Sequence, residues 1–351
     1  MDRKARWMKQ FKWWIRILLA IAVIVAMVAT WWLFQTSHET GQAPTRQHAS
    51  QAAPSKAKRK SSSTTKNNKS KTSNSGNKEK SVTKRKKVTV VALGDSLTQG
   101  VGDQTKRGGY VGQIKTMLDK KDQLNVTTHN YGKAGDRSDQ ILKRLNQSSA
   151  MQKQVSKADA ITMTVGGNDL MQGLQSATLS GKSTVSQMDN VVTATQQKYL
   201  AKLLSLLTTV RNLNPDAPIF LFSIYNPVYV YFANVDQLNT YITAFNQTTK
   251  ATSATISKLY FMNINERLSF GQYNTATKRA NLAAKDAKAN NNNSFDGQNI
   301  EKALVGGSTG ELNDYLSPVD HFHPNHLGYS KMTAVLYKTM QSHQSWLPKS
   351  K

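Results

Sequence analysis

The sequence predicts an α/β domain with a mostly parallel sheet covered by helices on both faces, and three observations carry that reading. Five short runs rich in β-branched, apolar and aromatic residues recur beyond residue 87, at 88–93, 126–130, 160–165, 219–224 and 259–264. Each has strand rather than helix length. Helix-like segments separate them, at 109–119, 138–147, 191–213, 235–256 and 326–340, and such alternation implies a sheet buried on both sides. The charge also changes character at that boundary. Residues 1–87 hold 20 Lys/Arg against Asp2, Glu39 and Glu79, whereas the remaining 264 residues hold 27 basic and 18 acidic side chains. A stretch of that length makes one large domain or two small ones and is ample for a buried core. The 351 residues include no cysteine, which excludes disulfides, thiolate metal sites and cysteine nucleophiles.

Taken in order, residues 1–16 form a short basic tail and residues 17–34 an uncharged run with Thr30 its only polar side chain, matching the ~20-residue helix that crosses a bilayer. Trp13, Trp14, Trp31 and Trp32 bracket the run, and Arg3, Lys4, Arg6, Lys9, Lys12 and Arg16 precede it. Interfacial aromatics and the positive-inside rule therefore predict a single-pass anchor with a cytoplasmic N-terminus and an extracellular domain. A cleaved signal peptide, with Ala26 and Ala29 as small residues near the cut, is the competing reading. Residues 35–87 form the linker. From 37 onward it has no Phe, Trp, Tyr, Ile, Leu or Met and carries 14 Lys/Arg against two acids. Such a segment cannot offset its ordering entropy and is expected to be a disordered tether spanning roughly 40 Å. It serves as a spacer, or adheres to anionic lipid or a wall polymer. No nucleic-acid partner is expected, because the tether has no aromatics on which bases could stack and is expected to lie outside the cell.

The domain is expected over 88–345. In 199–213 the residues Leu203, Leu204, Leu206, Leu207 and Val210 make a helical apolar face, which Asn214-Pro215 ends. The apolar run 224–232 reads as a strand end packed in the core, or as the lining of an acyl pocket. Residues 271–312, rich in Asn, Ala, Lys and Gly, interrupt the alternation and read as a surface insertion.

In parallel sheets the ligand site lies at the carboxyl ends of the strands, and the chemistry-bearing residues gather there. The first strand runs into Gly94-Asp95-Ser96-Leu97-Thr98, so Ser96 is an exposed nucleophile or a helix N-cap. The second leads into the loop Gly132-Lys133-Ala134-Gly135-Asp136. The third ends at Gly166-Gly167-Asn168-Asp169, where Asn168 offers an amide donor or merely a turn. Near the C-terminus stands Asp320-His321-Phe322-His323-Pro324, where an acid three residues before a histidine can orient the imidazole.

Together, in this order, these four pieces resemble the Ser, Gly, Asn and His blocks of the SGNH/GDSL hydrolase superfamily. The resemblance covers 88 to about 342. The wording of 93–98 with Gly100, Gly102-Asp103 and Gly109-Tyr110-Val111 is similar to the Gram-positive membrane-anchored lipase/acylhydrolase branch. It implies a flavodoxin-like α/β/α sandwich and an extracellular serine esterase, acting on lipid acyl or O-acetyl esters without metal or cofactor. Ser96, His323 and Asp320 would form the triad, and the Ser96 N–H, Gly135 N–H and Asn168 amide the oxyanion hole. Gly132 is the rival second donor. A non-catalytic adhesion protein working through its tether is the alternative function.

Three other patterns compete. Gly306-Gly307-Ser308-Thr309-Gly310 satisfies the nucleophile-elbow pattern, but no strand precedes it and 43 residues follow Ser308. His321, His323 and His326 approximate a zinc motif in which Asn325 replaces the acid. His321 could replace His323 as base, but Asp320 is its immediate neighbour and too close to orient it easily.

Overall fold

The computed structural model describes residues 85–180, 184–289 and 312–347, all within one compact unit, Glu79–Lys351. The expected membrane span 17–34, the tether up to residue 84 and the Ser308 loop lie outside the described residues. No helix among the described residues is long and apolar enough to cross a membrane.

Five strands, β1 (Lys87–Gly94), β2 (Asn125–Gly132), β3 (Ala160–Thr164), β4 (Ile219–Phe222) and β5 (Leu259–Met262), form one sheet in the order β2-β1-β3-β4-β5. Every pairing is parallel. Successive strand side chains point to opposite faces, and the sequence exploits this with near-continuous apolar runs. Val91 and Leu93, Ile161 and Met163, and Ile219 and Leu221 face one core. Val88, Val90 and Ala92, Ala160, and Phe220 and Phe222 face the other.

The first core is closed by α3 (Ser138–Gln147), α4 (Ser149–Ser156), α5 (Gly167–Leu179), α6 (Val185–Leu213) and α7 (Asp236–Ala254). The second is closed by α2 (Gly109–Lys121), α8 (Asn265–Ser269) and α10 (His326–Ser342). Full burial of each Leu, Ile, Val or Phe removes apolar surface worth about 1.5–3 kcal/mol. Both faces of the sheet are thus covered.

Several boundaries move relative to expectation. Helix α6 starts at Val185 rather than 191, because Thr184 accepts from Gln187 N while the Gln187 side chain caps Thr184 N. Its end is as expected: Asn214 donates to the carbonyls of Val155 and Ala158. Helix α5 occupies a stretch that read only as a turn. The insertion reading of 271–312 is corrected in part, since α9 (Ala276–Ala289) lies within it, with Leu282 buried and Asp286 accepting from Ala233 N. Residues 224–232 form no strand; they make a largely buried loop containing a 3-10 turn at Tyr229–Tyr231. The described fold begins at Lys87 and runs past 345, where buried Trp346 donates to Met340 O.

Candidate active site

The order β2-β1-β3-β4-β5 reverses direction between β1 and β3, and in doubly wound sheets the crevice at such a switch point receives the ligand. Ser96 follows β1 and Asn168 follows β3, so the topology alone places both at its rim. A short helix α1 (Ser96–Gln99) opens directly after β1, with Asp95 as its N-cap accepting from Leu97 N at 3.0 Å. Ser96 is therefore the first helical residue and not the cap, which leaves its hydroxyl uncommitted to the helix.

That hydroxyl meets His323. Ser96 Oγ lies 2.8 Å from His323 Nε2, and His323 Nδ1 lies 2.8 Å from Asp320 Oδ2. With Asp320 accepting the Nδ1 proton, Nε2 is left to accept from the serine hydroxyl. The other oxygen, Asp320 Oδ1, accepts from Phe322 N and His323 N at 3.1 and 3.0 Å, which fixes the loop around its own acid. Burial pushes the Asp320 carboxyl up, but the bond to His323, the charge on that ring and the two amides outweigh it and hold it below the usual value.

The neighbouring histidines are engaged elsewhere. His321 is buried with a left-handed backbone (φ 51°), and its Nδ1 lies 3.4 Å from Tyr231 Oη. His326 Nδ1 sits 3.2 Å from Asp103 Oδ1. Among the described residues no cluster of three or more His, Asp or Glu side chains is arranged to hold a metal.

Hydrogen-bond accounting separates the two candidate glycines. Gly132 N donates to Asn130 Oδ1, Lys133 N to Gly94 O and Asp136 N to Lys133 O, and Ala134 N to Gln99 Oε1. Gly135 N–H alone in that loop has no acceptor among the described residues. Its φ of 82° lies in the left-handed region that favours glycine. Gly132 has a steric role, since a Cβ there would overlap the backbone of Thr98 and Gln99 in α1. Ser96 N–H likewise has no acceptor among the described residues. Asn168 uses one of its two amide protons on Asp136 O at 2.9 Å, leaving the other.

The sequence reading missed the groups that hold this arrangement. Asp169 accepts from Ser138 N and Oγ at 3.0 and 2.6 Å, Gln172 donates to Gly135 O, and Arg144 binds Asp136, Tyr131 O and Gly94 O. Asn168, Asp169 and Gln172 share the first turns of α5, so recognising that helix would have placed them on one face.

Comparison with known proteins agrees with the fold. The profile of the GDSL-like lipase/acylhydrolase family matches residues 92–331. Protein YpmR of Bacillus subtilis (strain 168) is 32% identical over 166 residues, a span of 47% of this chain and 62% of that protein. The spore germination lipase LipC of Bacillus licheniformis is 30% identical over 157 residues, covering 44% of this chain and 70% of that one. Among solved structures, the lipase Lip_vut3 from a goat rumen metagenome superposes with a TM-score of 0.51 at 24% identity. It covers 72% of this chain and 96% of its own, a likeness of fold.

Proposed function

This chain belongs to the GDSL-like lipase/acylhydrolase family and is by that membership an ester-bond hydrolase, and we propose that it cleaves carboxylic esters through Ser96, His323 and Asp320. The observation that carries the proposal is the pair of 2.8 Å contacts joining the three side chains. Ser96 Oγ attacks the acyl carbonyl as its proton passes to His323 Nε2, and Asp320 holds the Nδ1–H tautomer and the resulting imidazolium. Ser96 N–H, Gly135 N–H and the remaining Asn168 amide proton face the carbonyl oxygen as it becomes an oxyanion. Loss of one such donor typically costs about 10²–10³ in rate. His323 then protonates the leaving alcohol, and water, deprotonated by the same ring, releases the acid and restores Ser96.

We assign the substrate to esters of the cell envelope. The uncharged 17–34 run with its basic N-terminal flank supports anchoring with the domain outside, and the basic 37–87 stretch supports contact with anionic lipid or wall polymer. The name of the Bacillus licheniformis relative, a lipase, makes lipid acyl esters the first class to try and O-acetyl groups the second.

The test uses p-nitrophenyl acetate through octanoate. Ser96→Ala and His323→Ala are each expected to remove most turnover with unchanged circular dichroism, and their losses should not add in the double variant. A fluorophosphonate should label Ser96, read by peptide mass. Near-normal hydrolysis by either single variant, or label on another serine, would sink the mechanism; the chain-length profile separates lipase from deacetylase.

A further inference from the structure

All three proposed oxyanion donors depend on chain segments that meet at one guanidinium. Arg144 lies in the last turn of α3, with its side chain 24% exposed. Its Nη2 donates to Gly94 O at 3.1 Å, two residues before Ser96. Its Nη1 donates to Tyr131 O at 3.1 Å, at the end of β2 where the Gly132–Gly135 loop departs. Its Nε donates to Asp136 Oδ2 at 2.5 Å, on the residue that follows Gly135 and whose carbonyl holds the Asn168 amide. One planar fork therefore fixes the end of β1, the end of β2 and the second oxyanion loop in a single plane of donors.

We infer that Arg144 is a positioning residue for the oxyanion hole, setting the relative placement of the Ser96, Gly135 and Asn168 donors while touching no substrate. The inference rests on the site reading proposed above. Geometry and charge make different demands here. Neutralising the nearly buried Asp136, 8% exposed, needs only a cation. Reaching three acceptors on three segments needs the rigid guanidinium, which a lysine ammonium on a flexible stem cannot reproduce. A donor displaced by a fraction of an ångström weakens the bond that forms in the transition state. Ground-state binding of a neutral ester depends little on it, so the signature is a loss in kcat rather than KM.

The experiment compares Arg144→Lys with wild type on p-nitrophenyl butyrate, alone and combined with Asn168→Ala, beside Ser96→Ala. Arg144→Lys is expected to lower kcat roughly ten- to hundredfold, less than the loss of a whole donor, while KM stays within about threefold. In the Asn168→Ala background the same change should cost markedly less, since part of what it positions is already gone. Asp136→Asn, which keeps the Gly94 and Tyr131 bonds and loosens only the loop, should show a smaller kcat loss and serves if the lysine variant unfolds. Wild-type kcat in both variants would overturn the inference. So would a rise confined to KM, or losses that multiply fully with Asn168→Ala. If Ser96→Ala itself retains turnover, the site reading fails; if it is inactive while Arg144→Lys is unchanged, only the role of Arg144 fails.

Discussion

The N-cap beside Ser96, the proposed nucleophile, is an acid in a place that disfavours its charge. Asp95 is buried, and burial raises its carboxyl pKa; bonds from Thr164 Oγ1 and Leu97 N and the charge on His323 counter this only in part. Because the folded-state pKa lies above the unfolded one, near 3.8, the group's contribution to the fold is fully present at pH below that unfolded value. The contribution is lost as pH rises through the folded value. Asp95→Asn keeps Oδ1 as acceptor for both donors and removes the titration. Its melting temperature should exceed wild type at pH 8, with the gap closing near pH 3, where both residues are neutral. A gap independent of pH, or a less stable variant at pH 8, would contradict this account. At this scale the candidate site was legible as motifs: Ser96, Asn168, Asp320 and His323 sit in short stretches whose chemistry is local, and the structure brings Ser96, His323 and Asp320 into contacts of 2.8 Å. In sequence the preference for Gly135 over Gly132 rests on resemblance alone; the structure adds that Gly132 N is engaged by Asn130 Oδ1. Arg144 was not legible at all. In sequence it is an arginine ending a helix, a role that the macrodipole already explains.

The second and first loops meet through elements packed closer than side chains allow. Gly132 ends β2 against α1, and a Cβ there would overlap Gln99 N and lie 2.6 Å from Gln99 Cα. Those are backbone atoms, so no rotamer change relieves the overlap. Gly132→Ala should cost about 1–3 kcal/mol, as overpacking does, and displace α1 with Ser96. Gly135→Ala keeps its N–H but must hold φ near 82°, a strain of about 1–2 kcal/mol. Both should lower kcat, and Gly132→Ala should also lower the melting temperature the more. A Gly132→Ala protein as stable and active as wild type would show that the close approach is not needed. The central strands β1, β3 and β4 were legible from their apolar runs because both of their faces are buried and hydropathy reports burial directly, whereas the edge strand β2, with Val126 its one buried residue, was legible only from a short β-branched run. Helix α9 escaped because its alanines and lysines present only a narrow apolar stripe, with Leu282 buried. Helix α5 escaped because Gly166-Gly167 reads as a turn, and its capping role is visible only once Gly166 is seen at φ 107°.

For the whole molecule, the strand order decides what can be separated from what. Every proposed catalytic group lies at or beyond Ser96, and the two residues before β1 already join the domain, Arg85 Nη1 donating to Asp119 O and Lys86 O accepting from Asn125 N. A fragment beginning at Arg85 should keep full activity on soluble esters. The proposed topology gives the preceding segments a different task. Residues 37–87 carry 14 Lys/Arg against Glu39 and Glu79, and exposed charges of that kind are screened over about 8 Å at physiological ionic strength. A chain starting at Ser37 should therefore bind anionic phosphatidylserine vesicles more tightly than the Arg85 fragment, and that advantage should shrink as salt rises. Protease added to intact protoplasts carrying the full chain should cut within the lysine-rich stretch and release an active domain. A salt-independent advantage would leave the stretch a plain spacer, since no electrostatic attraction to a lipid surface survives screening unchanged. Protection of the domain from external protease would overturn the outward orientation, because a basic linker on the outer face offers abundant sites for cleavage.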